Sequence, residues 1–513
     1  MSRGWNECDA EGRDHNSCFD GAYNHMGNGQ NDEPIQIIPG PQPGGPIVLF
    51  FLVIAALTIL GANPCFAESQ QCPLPPPYKQ LRYEEDYGYL RNRTCRTDPW
   101  DIIKYISLGE KDDWFLSAGG EVRERYEYFD NYKWGQGPQS RNGYFLQRYM
   151  LHADFHLGGH FRIFGQLKSG LEDGRDGGPR PTDRDKLDAH QAFMDISAGI
   201  GDYRSLTLRA GRQEMDYGSS RLISVREGPN VRQSFDGVRL ALDARVWRVD
   251  GFIVRPVETN EGVFDDKSDP ERFLWGIYGV APLPIVPGGM VDLYFLKFDR
   301  KEAEYSQGTA NEQRNSVGMR VWSREQPLDY NFEFVFQWGS FGRGDIRAWM
   351  AASDTGYTFR NLPLRPRIGL KADIASGDSN PNDRDLQTFN AMFFKGEYFN
   401  RTQMLGPANI EDLHPSVKVH FNQQASLTVD WDFFWRQSLY DGIYGVAGNL
   451  VNSGLTSRAS YIGSALSGEA VWRIDRHFTI TGAYTHFFAG PFLQESGPGK
   501  DVNYVSVWGT YKF

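Results

Sequence analysis

Hydrophobic and polar residues alternate with a period of two along most of this chain. The stretch YMLHADFHLGGHFRIFGQLKSG, residues 149–170, keeps this alternation on both sides of a glycine pair. The same pattern recurs at 328–339, 366–374 and 425–436. Because successive side chains of a β-strand point to opposite faces, the alternation predicts strands with one apolar and one polar face.

The number and length of these segments favour a membrane barrel. From Trp114 to Phe513 we count roughly eighteen strands of about 8–13 residues, the length of strands that cross a membrane. Short and long connections alternate, as in outer-membrane barrels, whose short turns are periplasmic. We therefore predict an all-β fold, a transmembrane antiparallel up-and-down β-barrel of about 18 strands (16–18). A secreted β-sandwich or propeller is the alternative, although no repeat of about 40–50 residues is visible.

The final predicted strand, VNYVSVWGTYKF, ends on an aromatic residue. Val505, Val507, Tyr511 and Phe513 lie on one face of it. An alternating strand that ends in an aromatic residue is typical of proteins inserted by the barrel assembly machinery of the outer membrane. We predict that this machinery binds through Phe513 and that outer-membrane lipid surrounds the barrel.

The glycine pair near residue 158 predicts a specific hairpin. Apolar residues have odd numbers on both sides of the pair, so a two-residue loop would mix the two faces. A three-residue turn at 158–160 instead pairs Phe155 with Ile163 and places His156 beside Arg162. We predict this turn on the periplasmic side.

The chain before the barrel carries export signals. Residues 47–62 form an apolar run that is short for a membrane-spanning helix, which needs about 20 residues. Cys65 and Ala67 are small residues at offsets that suit cleavage after Ala67. We predict a signal peptide at 47–67, with an anchor helix as the alternative. Residues 1–46 are expected to be disordered or to precede the true start.

A short segment separates the predicted cleavage point from the barrel. Residues 68–112 are expected to form a periplasmic N-terminal tether that can enter the barrel, and residues 113–513 the barrel itself. Cys72 and Cys95 are the two cysteines after the cleavage point. An even pair in an exported protein suggests one disulfide.

Composition excludes several classes of function. The net charge of -11 argues against nucleic-acid binding. No cysteine cluster has zinc spacing, and no nucleophile, phosphate-loop or paired-carboxylate motif stands out. We expect no enzymatic activity and no cofactor. His152, Asp154 and His156 share one strand face and are weak candidates for a metal site, although hydrogen bonding in the lumen explains them as well.

If the apolar face contacts lipid, the alternate face lines the lumen. The basic residues that this rule or the adjoining loops place along the pore are Arg123, Arg125, Arg148, Arg162, Lys168, Arg209, Arg212, Arg221, Arg239, Arg367, Lys371 and Arg436. The rule also points Arg320, Arg347 and Lys418 inward. Guanidinium groups bind carboxylates in a bidentate manner and keep their charge, so such a lumen would favour anions.

Acidic residues follow the same rule. They are Glu121, Glu127, Asp154, Asp195, Asp243, Asp329, Glu333, Asp373, Asp430, Asp432 and Glu469. The alternative is therefore that lumenal charges form cross-strand pairs that satisfy one another and select no solute.

Five stretches of the chain form a recognisable set: GGEVRERYEYF (119–129), the 143–170 hairpin, LRAGRQEMDYGSSRLIS (208–224), SFDGVRL (234–240) and TFNAMFF (388–394). Together they resemble a known family, the alginate export porins of Gram-negative outer membranes. The resemblance covers about Tyr83 to Phe513. It implies an eighteen-stranded monomeric barrel in the outer membrane and passive export of a polyanionic polysaccharide such as alginate.

The expected function is thus an outer-membrane channel for an anionic polysaccharide or another anionic solute. One alternative is an uptake porin specific for another small solute. The other is a plugged barrel with an enzymatic or structural role.

Overall fold

The computed structural model describes residues 72–109, 113–201, 204–325 and 327–513. Their main feature is one closed antiparallel β-barrel of eighteen long strands. The strands are β1 (Trp114–Asp130), β2 (Asn142–Leu157), β3 (Phe161–Asp173), β4 (Asp185–Gly199), β5 (Arg204–Gln213), β6 (Phe235–Ala244), β7 (Arg248–Glu258), β8 (Arg272–Pro282), β9 (Met290–Tyr305), β10 (Gly308–Ser323), β11 (Leu328–Phe341), β12 (Gly344–Thr358), β13 (Arg367–Ala375), β14 (Ile410–His420), β15 (Ala425–Trp435), β16 (Tyr461–Arg473), β17 (Phe478–Ala489) and β18 (Val502–Lys512).

Each strand pairs with its neighbours in sequence, and β1 closes the barrel by pairing with β18. In that seam Glu121 lies opposite Lys512 and Asp130 opposite Asn503. Closure leaves no sheet edge with unpaired backbone N–H and C=O groups, to which lipid could not hydrogen-bond. The predicted all-β barrel of about 18 strands is confirmed.

The two faces of the strands separate as predicted. Ile163, Leu370 and Val507 on the apolar face are 43%, 47% and 50% exposed, whereas Arg148 on the polar face is 2% exposed. The 158–160 hairpin also has the predicted register, with Phe155 opposite Ile163 and His156 opposite Arg162.

The segment 72–109 enters the end of the barrel that holds the short turns. A Cys72–Cys95 disulfide closes it, with 5.3 Å between the Cα atoms. Arg82 donates to the carbonyl oxygens of Gly120 and Phe513, both at 2.9 Å. Its short elements are the 3-10 helices Arg82–Glu84, Gly88–Arg91 and Arg93–Cys95, the α-helix Asp101–Lys104 and the strand Ile106–Ser107, which pairs with β1.

Two long connections fold into the lumen rather than away from it. The β5–β6 connection (214–234) and the β13–β14 connection (376–409) meet where Ile223 forms a parallel bridge with Phe393. Apolar residues of both connections pack against inward side chains of the wall, such as Phe235, Phe298 and Phe434. The lumen therefore contains an apolar core.

The remaining short elements lie in connections between strands. They are the 3-10 helices Tyr132–Gly135 and Gly454–Thr456, the helix Pro491–Ser496 and the strands Lys267–Ser268, Ile443–Tyr444 and Leu450–Asn452. None of the helices in the described residues has the length and apolarity to cross a membrane. The predicted signal peptide and the 1–46 extension lie outside the described residues.

Candidate functional site

The candidate site begins with three arginines on β1 and β2, which we call the arginine wall: Arg123, Arg125 and Arg148. Each is at most 3% exposed. Arg123 and Arg148 lie directly opposite each other in the strand register. Like charges in that position repel, so anionic or dipolar partners must lie between them.

The 214–234 connection supplies most of those partners. Arg123 donates to the carbonyl oxygens of Glu227 and Pro229 at 3.1 and 2.9 Å. Arg125 donates to the carbonyl oxygen of Gly228 at 2.9 Å and contacts the Glu127 carboxylate at 2.7 Å. The arginine wall therefore holds this connection inside the lumen.

The Glu227 carboxylate is the central anion of this arrangement. It contacts Arg148, lies 3.1 Å from Arg232 and 3.8 Å from Arg123. Burial raises the pKa of Glu227, but the three guanidinium groups outweigh burial and hold that pKa below its ordinary value. The Glu227 side chain is 34% exposed as a whole, although its Oε2 atom is buried.

A second group of arginines binds the N-terminal segment. Arg162 forms a bidentate pair with Asp154, and Arg209 forms one with Asp195, at 2.6–2.8 Å. Arg162 also donates to the carbonyl oxygen of Tyr83, whose ring lies 4.0 Å from the Arg209 guanidinium. The predicted tether is thus anchored on residues that were predicted to line the pore.

Lys168 lies near the other end of the barrel, at a cluster of three carboxylates. Its Nζ is 2.8 Å from Asp185 and 2.8 Å from Asp266. Asp188 completes the group, which we call the Lys168 cluster.

Three further predicted basic residues lie in the inward connections or next to them. Arg221 contacts Glu333 at 2.8 Å and the Tyr398 hydroxyl at 2.8 Å. Lys371 donates to the carbonyl oxygen of Tyr398 at 2.7 Å. Arg239, on β6, pairs with Asp250 at 2.7 Å, and its guanidinium lies 5.8 Å from the ring centroid of Tyr217 in the 214–234 connection.

Arg367 and Arg436 lie at the two ends of the barrel. Arg367 forms a bidentate pair with Asp329 near a short turn. Arg436 donates to five backbone carbonyl oxygens of the 437–460 connection, those of Leu439, Asp441, Gly454, Ser457 and Ala459. Arg436 therefore holds an extracellular loop together.

Two arginines do not face the lumen as predicted. Arg212 is opposite Ala192, an exposed residue of the outer face, and its guanidinium pairs with Asp236 at 2.8 Å and lies 3.6 Å from the buried Asp188. It lies three residues after Arg209, and an odd offset reverses the face on a strand. The Arg347 side chain is 71% exposed, whereas its neighbours Ile346 and Ala348 are buried.

The weak metal candidates on β2 are otherwise engaged. Asp154 is bound by Arg162, His156 stacks on Phe115 at 4.3 Å and His152 stacks on Phe164 at 5.6 Å. Within the described part of the chain, the groups whose ligand atoms converge are Asp412 with His414 and Asp432, and the carboxylates of the Lys168 cluster.

Sequence reasoning missed Glu227 and the two inward connections. The run TFNAMFF was an available signal, because Phe389 and Phe393 are buried although they lie in no strand. Chemically, the arginine wall binds carboxylates of the same chain, with Glu227 and Glu121 on Arg148 and Glu127 on Arg125.

Comparisons with known proteins agree with this fold. The family model "Alginate export" matches residues 115–507. Among curated proteins no sequence matches the chain significantly.

Solved outer-membrane porins have similar structures at low sequence identity. A BenF-like porin from Pseudomonas fluorescens Pf-5 has a TM-score of 0.53 at 10% identity, covering 78% of this chain and 98% of the porin. OccAB4 of Acinetobacter baumannii has a TM-score of 0.52 at 10% identity, covering 77% and 98%. OccK2 (OpdF) of Pseudomonas aeruginosa, solved in complex with glucuronate, has a TM-score of 0.50 at 10% identity, covering 77% and 98%. The chain is an integral outer-membrane β-barrel of the porin type and belongs to the alginate export family.

Proposed function

We propose that this porin is a passive channel for solutes that carry carboxylates, with acidic polysaccharides as the principal class. The observation that supports this is the position of Glu227, whose carboxylate lies among Arg148, Arg232 and Arg123. A uronate carboxylate offers the same two oxygens to the same guanidinium groups. Glu227 would therefore act as an internal substitute for the solute.

The surroundings suit such a role. Guanidinium groups keep their charge at every physiological pH, and a pore with low-dielectric walls concentrates ions of the opposite sign. The family is named for alginate export, and OccK2 was solved with glucuronate. The arrangement is consistent with either direction of passive movement, so uptake of a small uronate is a variant of the same proposal.

The test is conductance in planar bilayers with Glu227→Gln. This substitution removes one of the carboxylates that contact the arginine wall and keeps the side-chain shape, while Glu121 stays paired with Arg148 and Glu127 with Arg125. A charge-assisted hydrogen bond is worth roughly 1.5–3 kcal/mol, so block by glucuronate should strengthen about tenfold or more. The ratio of anion to cation permeability should rise as well.

The matched control is Asp345→Asn, which removes one carboxylate from an exposed position. It should leave both the block by glucuronate and the ratio of anion to cation permeability at the wild-type value. If Glu227→Gln conducts but shows wild-type selectivity and block, the arginine wall does not select the solute.

A second candidate function, a barrel closed to solutes, rests on a different observation. The 214–234 and 376–409 connections and the 72–109 segment all occupy the lumen. A barrel of this kind should show no conductance in the wild type or in Glu227→Gln, and should open only when the inward part of the 376–409 connection is deleted.

A further inference from the structure

Strands β14 and β15 of the barrel wall carry a group of side chains that the proposed channel function does not use. Asp412 and His414 lie on β14 and Asp432 on β15, and all three are inward and at most 6% exposed. Their ligand atoms, one from each residue, all lie within 4.8 Å of one another. We call this group the Asp412 cluster.

The strand register explains why these side chains meet. Leu413 is opposite Phe433, and Ser416 is opposite Asp430. The same register puts His414 across from Asp432, with Asp412 two residues away on the same face. Pro415 lies between the two pairs and has no N–H group for the ladder.

Asp412 lacks a partner in this group. Neither of its carboxylate oxygens accepts a hydrogen bond from any described residue, although the residue is 4% exposed. Buried charges in proteins are normally paired or bind a metal. A buried and unpartnered carboxylate that points into the cluster therefore indicates a missing cation.

The basic residue on the neighbouring strand does not supply that cation. Lys371 lies opposite His414, but its Nζ donates to the Tyr398 carbonyl oxygen at 2.7 Å and lies 4.3 Å from the Tyr398 ring centroid. Asp373, directly opposite Asp412, adds another carboxylate to the same wall.

His414 is oriented as a metal ligand would be. Its Nε2 is 3.1 Å from the Asp430 carboxylate, while its Nδ1 is in direct contact with the Asp432 carboxylate but lacks the geometry of a hydrogen bond. In metal sites one ring nitrogen commonly donates to a carboxylate, which fixes the tautomer and leaves the other nitrogen free to bind the metal. Asp430 would act as that orienting carboxylate.

We propose that Asp412, His414 and Asp432 bind a divalent first-row transition-metal ion in the barrel wall, with Zn²⁺ as the best probe. One imidazole with two carboxylates is a donor set that zinc accepts. Calcium and magnesium prefer oxygen ligands alone. Three protein ligands leave room for water in the remaining positions.

Calorimetry on the full chain in detergent tests this, after a chelator has removed bound metal. ZnCl₂ should bind with one ion per barrel, and Co²⁺ should give a ligand-field absorption band at the same stoichiometry. Asp430→Asn should weaken Zn²⁺ binding about 10–100-fold, and Asp412→Asn, which removes a direct ligand, should weaken it more.

Asp188→Asn is the matched control, because Asp188 belongs to the other convergent acidic group, where Lys168 already supplies a cation. It should bind Zn²⁺ as the wild type does. These Asp→Asn changes preserve side-chain shape, and circular dichroism checks that each variant folds. A wild-type barrel that binds neither Zn²⁺ nor Co²⁺, or an Asp412→Asn variant with unchanged affinity, would overturn the proposal. Preference for Ca²⁺ over Zn²⁺ would overturn the assigned class of metal.

Discussion

The Lys168 cluster and the Asp412 cluster both bring buried carboxylates together, but they differ in how the negative charge is compensated. Each brings at least two aspartates together in a buried part of the barrel wall. In the first, Lys168 Nζ lies 2.8 Å from both Asp185 and Asp266. In the second, the carboxylate of Asp412 has no hydrogen-bond donor among the described residues.

The difference shows what an internal cation contributes. A buried ion pair adds little net stability over an apolar substitute, but removing one partner leaves an uncompensated charge that destabilises strongly. In the Lys168 cluster the chain itself therefore supplies the cation that the carboxylates need. The Asp412 cluster requires an ion from solution, which makes its stability depend on metal concentration.

The largest expected effect comes from breaking the complete cluster. Lys168→Met removes the charge and keeps much of the side-chain volume, so Asp185 and Asp266 are left buried without their cation. We expect the free energy of unfolding to fall by about 3–5 kcal/mol, measured by denaturant titration in lipid.

Ca²⁺ provides an independent check on this variant. The three aspartates offer oxygen ligands only, which is the donor set that calcium prefers. Millimolar Ca²⁺ should restore part of the lost stability in Lys168→Met and should not change the wild type. A variant as stable as the wild type would show that Lys168 does not hold these carboxylates together.

A smaller effect, with the opposite sign, is expected from the Asp412 cluster. In a chelator, Asp412→Asn removes one of several converging negative charges, so the free energy of unfolding should rise by about 1–3 kcal/mol. At saturating Zn²⁺ the order should reverse, because only the wild type gains stability from the bound ion. A loss of stability in the chelator would mean that Asp412 already has a stabilising partner.

The strand pattern could be read from the sequence because alternation is a local property. Residues 149–170 define their own faces and their own turn, and the structure has the predicted register there. Barrel closure follows once the strands have the length and amphipathic character that a membrane requires.

The packing inside the lumen could not be predicted from this alternation. The connection that holds Phe393 has no period of two, and its burial depends on contacts with Ile223, about 170 positions earlier in the chain. Asp432 was predicted to face the lumen, but its meeting with Asp412 depends on a cross-strand register that alternation does not set. The same limit applies to Arg347, whose exposed position follows from the register of β12 at its extracellular end.

The smallest effect is expected on the outer face, where a pair of opposite charges contributes little to the free energy of unfolding. Arg347 and Asp345 are 3.6 Å apart, with side chains 71% and 68% exposed. Water screens such pairs, which contribute about 0–1 kcal/mol. Arg347→Glu should therefore change the free energy of unfolding by less than about 1 kcal/mol. It should also leave anion selectivity in bilayers unchanged, since the side chain does not face the lumen. A selectivity change as large as that of Glu227→Gln would place Arg347 in the conduction path and contradict the strand faces described for β12.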